Sequence, residues 1–419
     1  MIKKNKIILE LNEFSVELLR KYESSHNNIK KLLAWDHLIT SIPDTYQSDF
    51  LEPWSQWVSI HTGLPCKEHN IKHLGDIDQL KEIQAWDAKP ERFGIVWGCL
   101  NSKNPTSQSV KYFPDPWTRE SSTNIEDAEI LQKFLRLSVS SRGGSIFTRF
   151  KHISRLVYSG FQIVPFVIKN IDKPLFKIVK KYGLLRCLNI SVIYTLIEYL
   201  AFNYFLTLGE SEKNKKHTDI FFFNFLAHCQ HYFWSTRHHY RIDIAMDFIE
   251  IILEKLASRY DKIHIINGLS QEFSADKEQW HSYIPRNGWE VFIRRYISKS
   301  CIVEACMSYD SNILFDSKLS LNKAKDNLDS IKTMTSGHKV FLTEINPTNP
   351  LKLFVRLDYF GNTKEKVVID NQVYSIDHIF SLAGIRTARH VQSCDLFTNE
   401  ISTTKLKATF NYNLYNIYE

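Results

Sequence analysis

Short apolar runs recur along this chain of 419 residues, each closing on polar residues or glycine, and that pattern leaves few folds open. The first, KIILELNEF (6–14), is an apolar run without strict alternation, as a strand buried on both faces requires. A polar turn follows it, and then a helix-patterned stretch from Ser15 to Tyr22. FGIVWGCL (93–100), DIFFFNFL (219–226), KIHIINGL (262–269) and KVFLTEI (339–345) are further core strands by the same criterion. Strands separated by helices predict an α/β fold with a central, mostly parallel sheet flanked by helices. Open sheets of this kind bind ligands at the carboxyl ends of their strands, so the residues just after each run are the first candidates for a site.

Between Glu126 and Lys216 the pattern changes to long helical periodicity rich in Leu, Ile, Phe and Lys, with SSRGGS (140–145) as a loop. The expected division is therefore an N-terminal part of the α/β domain at 1–120, a helical insertion or cap at 121–216, and the rest of the α/β domain at 217–419. Arg241 to Tyr260 is a further helix. Leu188 to Leu208 is the stretch closest in length and apolarity to a membrane span, but Asn189, Glu198 and Asn203 interrupt it and mark it as a buried core helix. Hydrophobic residues at 43% and charged residues at 24% exclude a disordered or fibrous chain. The net charge of +7 points to an anionic partner. Seven scattered cysteines without a C-x-x-C pair argue against a disulfide framework or a zinc ribbon, and read as reduced thiols of a cytosolic protein. No signal segment is legible at the N-terminus, where Met1 to Leu9 turns directly into a strand.

The most informative segment is EPWSQWVSIHTGLPCKEHNI (52–71). It resembles the T-G-x-x-P-x-x-H-G-I signature of the alkaline phosphatase superfamily, on its phosphodiesterase and sulfatase side, with Thr62, Gly63, His69 and Ile71 matching. Pro65 comes one residue early and Asn70 replaces the second glycine. The resemblance implies a nucleophile nine residues before Thr62, where this chain has Pro53. Glu52 is adjacent, and its carboxylate could act as base or nucleophile, or could simply favour a helix start together with Pro53. Ser55 and Ser59 lie further along the same helix, and a covalent phosphoryl or sulfuryl enzyme would need Glu52 or one of them by a shifted alignment; Ser55 and Gln56 are expected to contact substrate.

The superfamily's metal ligands are mostly replaced. Its first ligand Asp, in an L-D-G type turn after the first strand, corresponds to Asn12 in Leu11-Asn12-Glu13. Its D-x-x-G-H element resembles Ala227-His228-Cys229-Gln230-His231, in which the Asp is lost, His231 keeps the ligand position and His228 is an additional imidazole. Its S-D-H-G element would fall at Asn267-Gly268-Leu269-Ser270, without either ligand, and its G-x-H element at Ser336-Gly337-His338. A two-metal site needs more carboxylates and imidazoles than this.

Metal-free chemistry is therefore expected, with Glu52, His231 and His338 catalytic. Asn12, Ser55, Gln56, His228, Trp234, Arg237, Asn267 and Ser270 would bind substrate. A single zinc at His228, His231 and His338 is the alternative. Asn12, Glu52, His231, Asn267 and His338 are expected to converge in one cleft. The aromatic-rich segments KYFPDPW (111–117), HYFWSTRHHY (231–240) and QWHSYIPRNGW (279–289) suit either core packing or a sugar or nucleotide pocket, the latter favoured only beside Trp234 and Arg237.

Three functions follow as expectations. The first is a transferase acting on a nucleotide-activated or phosphate-linked sugar in surface polysaccharide synthesis, its acceptor a glycan or lipid-linked glycan. The second is a phosphodiesterase- or sulfatase-type hydrolase with one residual zinc, and the third an inert member that binds a glycan or a protein. The expected partner is a phosphate-bearing or nucleotide-sugar small molecule, not nucleic acid. The expected location is cytoplasmic, extending to peripheral association with the inner face of the membrane.

Overall fold

A computed structural model describes residues 4–43, 53–69, 92–95, 146–208, 218–234, 239–274, 280–305, 310–346, 349–361, 364–400 and 409–418. Glu52, Arg237, KYFPDPW (111–117) and the SSRGGS loop lie outside the described residues.

The fold is α/β. Its centre is a six-stranded sheet, and strand β1 (Lys4–Leu11) runs through the middle of it. β1 pairs in parallel with β4 (Thr218–Phe223) on one side and β5 (Tyr260–Ile266) on the other, and β3 (Arg92–Ile95) extends the sheet beyond β4 in the same sense. On the far side of β5 lies β16 (Ser393–Thr398), antiparallel to both β5 and β2 (Asp36–Ser41).

Alternation along β1 and β4 builds two cores, one on each face. Ile7, Leu9, Leu11, Phe221 and Phe223 point into the larger, which holds the helices Val16–Tyr22 and Tyr240–Arg259 and the helical region 146–208. Ile8, Ile220 and Phe222 point the other way, onto Trp57, Val58 and Ile60 of the helix Pro53–Thr62 and onto Leu414, Ile417 and Tyr418 of the 3-10 helix Asn411–Tyr418. Each fully buried Ile, Leu or Phe contributes about 1.5–3 kcal/mol, so a strand covered on both faces is strongly fixed in register.

The described part of the expected insertion is helical throughout: Ile146–Asn170, Lys173–Tyr182, Leu184–Cys187 and Ile190–Leu208. The last of these is the apolar stretch that most nearly suggests a membrane span. It is a core helix, with Tyr199, Phe202 and Phe205 buried against Phe221 or Phe248.

Not all of the C-terminal part belongs to the central sheet. After β6 (Ser270–Phe273) and β7 (Trp280–Pro285) the chain builds a separate four-stranded antiparallel sheet in the order β10 (Phe341–Ile345), β11 (Lys352–Leu357), β9 (Ser311–Phe315), β8 (Cys301–Ala305). KVFLTEI is therefore a strand, as expected, but an antiparallel one in a second core. A hairpin of β12 (Lys366–Ile369) and β13 (Gln372–Ser375) accompanies it. The chain then returns through β14 (Phe380–Arg386), paired with β7, and β15 (Ala388–Val391), paired with β6, to reach β16. This return path carries residues 386–391 to the carboxyl edge of the central strands.

Candidate active site

The turn after β1 is the centre of a dense polar group. Asn12 continues the sheet by one bond, its N–H donating to the Phe223 carbonyl at 2.8 Å. Glu13 then adopts φ 56°, a left-handed conformation that costs a side-chain-bearing residue about 1–2 kcal/mol. This is the position of glycine in the L-D-G type turn that the sequence resembles, so the turn carries a carboxylate where glycine would be free of strain. Ser15 ends the turn by capping the helix Val16–Tyr22, its hydroxyl accepting from Leu18 N at 3.4 Å.

Two imidazoles meet the Glu13 carboxylate from distant parts of the chain. His231 Nε2 lies 2.9 Å and His390 Nε2 3.0 Å from the same oxygen, Oε2. His231 comes from the helix Phe225–Phe233, and His390 from β15, where the register places it opposite Gln271 of β6. The Gln271 carboxamide donates to Glu13 Oε2 as well. Gln230 closes the group: its Nε2 donates to the Glu13 carbonyl at 2.6 Å and its Oε1 accepts from Ser15 N at 3.1 Å. Every element that frames the turn thus supplies a bond to it.

Burial pushes the Glu13 carboxyl up, but His390 and His231 beside it outweigh that and hold it well below the usual carboxylate range. Burial pushes His231 down to about 4 against the pull of Glu13, and the nearby Arg386 charge and His390 add to the lowering. The result at neutral pH is an ionised carboxylate facing a neutral imidazole, which are the protonation states that metal ligands need. Arg386 is half-buried, and its Nε has no hydrogen-bond partner among the described residues. A guanidinium so placed suits an incoming anion.

The donor set fits one divalent cation. Among the described residues, Glu13, His231 and His390 form the group whose ligand atoms all lie within 4.8 Å of one another. Two imidazoles and a carboxylate are a zinc-binding combination, and bonds of about 2.0–2.1 Å place tetrahedral donors about 3.4 Å apart, a few tenths of an ångström wider than the two carboxylate–imidazole distances here.

The expected residues divide into those this turn gathers and those it does not. Asn12 adjoins Glu13, but its oxygen accepts from Trp57 Nε1 at 2.7 Å and its amide donates to Asn224 Oδ1 at 2.7 Å, so it positions the turn and is not free to ligate. Asn267 and Ser270 lie just behind, buried: Asn267 Nδ2 donates to the Phe14 carbonyl at 2.9 Å, and both side chains bond Asp395. Ser55 and Gln56 are buried in the helix Pro53–Thr62, and Gln56 accepts from Asn411 at 2.8 Å. Trp234 is core, packed on Phe273. His228 is exposed and faces Ser191 Oγ at 3.3 Å. His338 is exposed on a turn of the second core, where its N–H donates to Thr333 Oγ1 at 2.9 Å. The trio His228, His231 and His338 therefore forms no metal-binding group, because only His231 faces Glu13.

Glu13, Gln271, His390 and Arg386 are the residues that the sequence pattern passed over. Glu13 stood in the quoted turn beside Asn12. His390 precedes β16 by three residues, as His338 precedes β10, and that shared offset was the available signal.

No family model matches the chain, and no curated protein matches it. Solved structures similar to it include human ectonucleotide pyrophosphatase/phosphodiesterase 5, at 9% identity and a TM-score of 0.44 over 99% of this chain and 93% of that one. Phosphonoacetate hydrolase from Sinorhizobium meliloti, in complex with phosphonoacetate, is 11% identical with a TM-score of 0.42, over 99% and 95% of the two chains. TAB5 alkaline phosphatase is 8% identical with a TM-score of 0.34, over 99% and 96%. Likeness of this degree assigns the chain no activity.

Proposed function

We propose that this chain cleaves a phosphate-linked small molecule at the Glu13–His231–His390 centre, with one divalent cation held by those three side chains and water as the attacking group. The observation that carries this reading is the convergence of two imidazoles on one oxygen of a carboxylate at the carboxyl edge of a parallel sheet. Those three side chains would hold a zinc-class cation, which would supply Lewis-acid chemistry and water activation near neutral pH.

The chain's own residues do the rest. Gln271 and Gln230 fix the carboxylate and the turn, so the donors are oriented in advance. Neutral His231 offers a ring lone pair without first losing a proton. Arg386, close enough to His231 for its charge to act there, would meet the phosphate through its guanidinium. No hydroxyl nucleophile is needed, which suits a helix whose Ser59 is buried and hydrogen-bonded to His69 at 3.0 Å. The sugar-transferase expectation presumed a centre without metal, with Glu52, His231 and His338 catalytic, and ester cleavage stands ahead of it because Glu13, His231 and His390 together offer the donors of a cation site.

Release of p-nitrophenol from its phosphate monoester and diester, with zinc or manganese supplied, tests the reading. Arg386→Ala is expected to raise KM by about 10–100-fold, the worth of a hydrogen bond to a charged group, with a smaller change in kcat. Folded protein that cleaves neither ester with either metal, or an Arg386→Ala enzyme with unaltered KM, would contradict it.

A further inference from the structure

The helix Ile146–Asn170 is apolar on two opposite faces. Ser159, Ile163, Phe166 and Asn170 are buried against the core. Val157, Phe161, Val164 and Ile168 fall on the opposite side within about 60° of one another at 100° per residue, and all four are exposed, Phe161 to 72%. A surface helix ordinarily turns a polar face to water. Further apolar side chains are exposed immediately downstream: Phe176 on the helix Lys173–Tyr182, then Leu184, Leu185 at 88% and Leu188. Nine of the twenty large hydrophobic side chains exposed among the described residues lie between 157 and 188, so this is a patch and not the usual scatter.

The charge of the same stretch is as uneven as its apolarity. Residues 146–189 contain nine Lys and Arg and a single acid, Asp172. That acid is occupied by Lys255. The stretch therefore carries +8 of a chain whose total is +7, leaving the rest at −1. Lys173, Lys177 and Lys180 surround Phe176 at helical spacing and are exposed with it.

We propose that residues 154–188 form a docking surface for an anionic lipid bilayer. Apolar side chains such as Phe161, Ile168, Phe176 and Leu185 enter the headgroup–acyl boundary while the lysines and arginines bind anionic headgroups, which is how basic amphipathic helices lie in an interface. Charge complementarity selects this occupant over a second copy of the chain, because residues 154–188 hold seven Lys and Arg and one acid, and two copies meeting through this face would bring +6 against +6. No helix among the described residues is long and apolar enough to cross a membrane, so the contact is to the surface. Such docking would hold the enzyme at the bilayer independently of what its centre cleaves.

Co-sedimentation of the full chain with vesicles of phosphatidylcholine, with and without phosphatidylglycerol, tests this. Binding is expected only to the anionic vesicles and should weaken with added salt. Reversal of Lys173, Lys177 and Lys180 to Glu should weaken it about fivefold or more per residue. Phe161→Glu with Ile168→Glu should abolish it, with the melting temperature and circular dichroism unchanged because both positions face solvent. Equal binding to neutral vesicles, absence of binding, or indifference to the Phe161 and Ile168 changes would each overturn the proposal. So would self-association in sedimentation velocity that the same changes remove without any lipid binding.

Discussion

Strand β1 and the turn after it carry two carboxylate–imidazole groups three residues apart, and they differ in everything except their chemistry. Glu10 points onto the helix Pro53–Thr62, where His61 Nε2 lies 2.7 Å from Oε1 and the Tyr418 hydroxyl donates to the same oxygen. None of the three is more than 2% exposed. Glu13 stands past the end of the pleat, in a strained turn, with two imidazoles and a carboxamide on one oxygen, and the side chains of His231 and His390 are 15% and 14% exposed. A carboxylate paired with histidine is therefore no mark of a site. What separates the sealed pair from the candidate centre is position at the carboxyl edge of the sheet, a second imidazole and side chains that keep some exposure to solvent.

The comparison breaks or sharpens under substitution, and the largest effect is expected at the turn. Glu13→Gly removes the carboxylate but relieves the left-handed backbone. Turnover of a phosphate ester should fall on the order of 10³-fold, several kcal/mol of lost Lewis-acid assistance, while the melting temperature stays within a few degrees. A variant that keeps its turnover would make Glu13 as structural as Glu10. At the sealed pair the signs reverse. His61→Ala leaves a buried carboxylate with the Tyr418 hydroxyl as its remaining partner, so urea unfolding should show a loss of about 3 kcal/mol or more with activity per folded molecule retained.

A third carboxylate gives a smaller, pH-dependent effect. Glu198, on the apolar helix Ile190–Leu208, accepts from the N–H groups of Asn224 and Phe225 at 2.8 Å each, at the start of the helix that carries His231. Burial nevertheless raises its carboxyl from 4.5 to about 7, against those two bonds. A folded-state value above the unfolded one means that the stability it contributes is complete below 4.5 and is lost as pH rises through about 7. The loss should be roughly 2 kcal/mol once its partial exposure is allowed for. Thermal melts of Glu198→Gln across that range should lack this slope, and an unchanged slope would show that the carboxyl titrates normally.

The sheet was legible because burial on both faces of β1 and β4 writes itself as unbroken apolar runs, and because β5 ends visibly at Asn267. The helices at 16–22 and 240–259 followed from spacing. What stayed hidden is non-local. Nothing in KVFLTEI distinguishes a parallel strand of the main sheet from an antiparallel strand of a second core. His390 reaches Glu13 only because the chain leaves after β6, builds that second core and returns to pair with the strand it left. His231 was found from the D-x-x-G-H resemblance after a strand, whereas His338, found from the G-x-H resemblance, belongs to the other core. Asn12 drew attention as the replaced ligand, and the neighbouring Glu13, which supplies the carboxylate, did not.

The central claim is that Glu13, His231 and His390 form one cation-binding centre. Equilibrium dialysis against zinc, with metal counted by mass spectrometry, tests it most directly when the wild type is set beside His231→Ala, His390→Ala, His228→Ala and His338→Ala. About one zinc per chain is expected in the wild type and in the His228 and His338 variants, and affinity reduced by more than about 100-fold in the His231 and His390 variants, since loss of a group that only orients a ligand already costs about 10–100-fold. Equal retention of zinc in all five proteins, or its loss with His228 or His338 instead of His390, would contradict it.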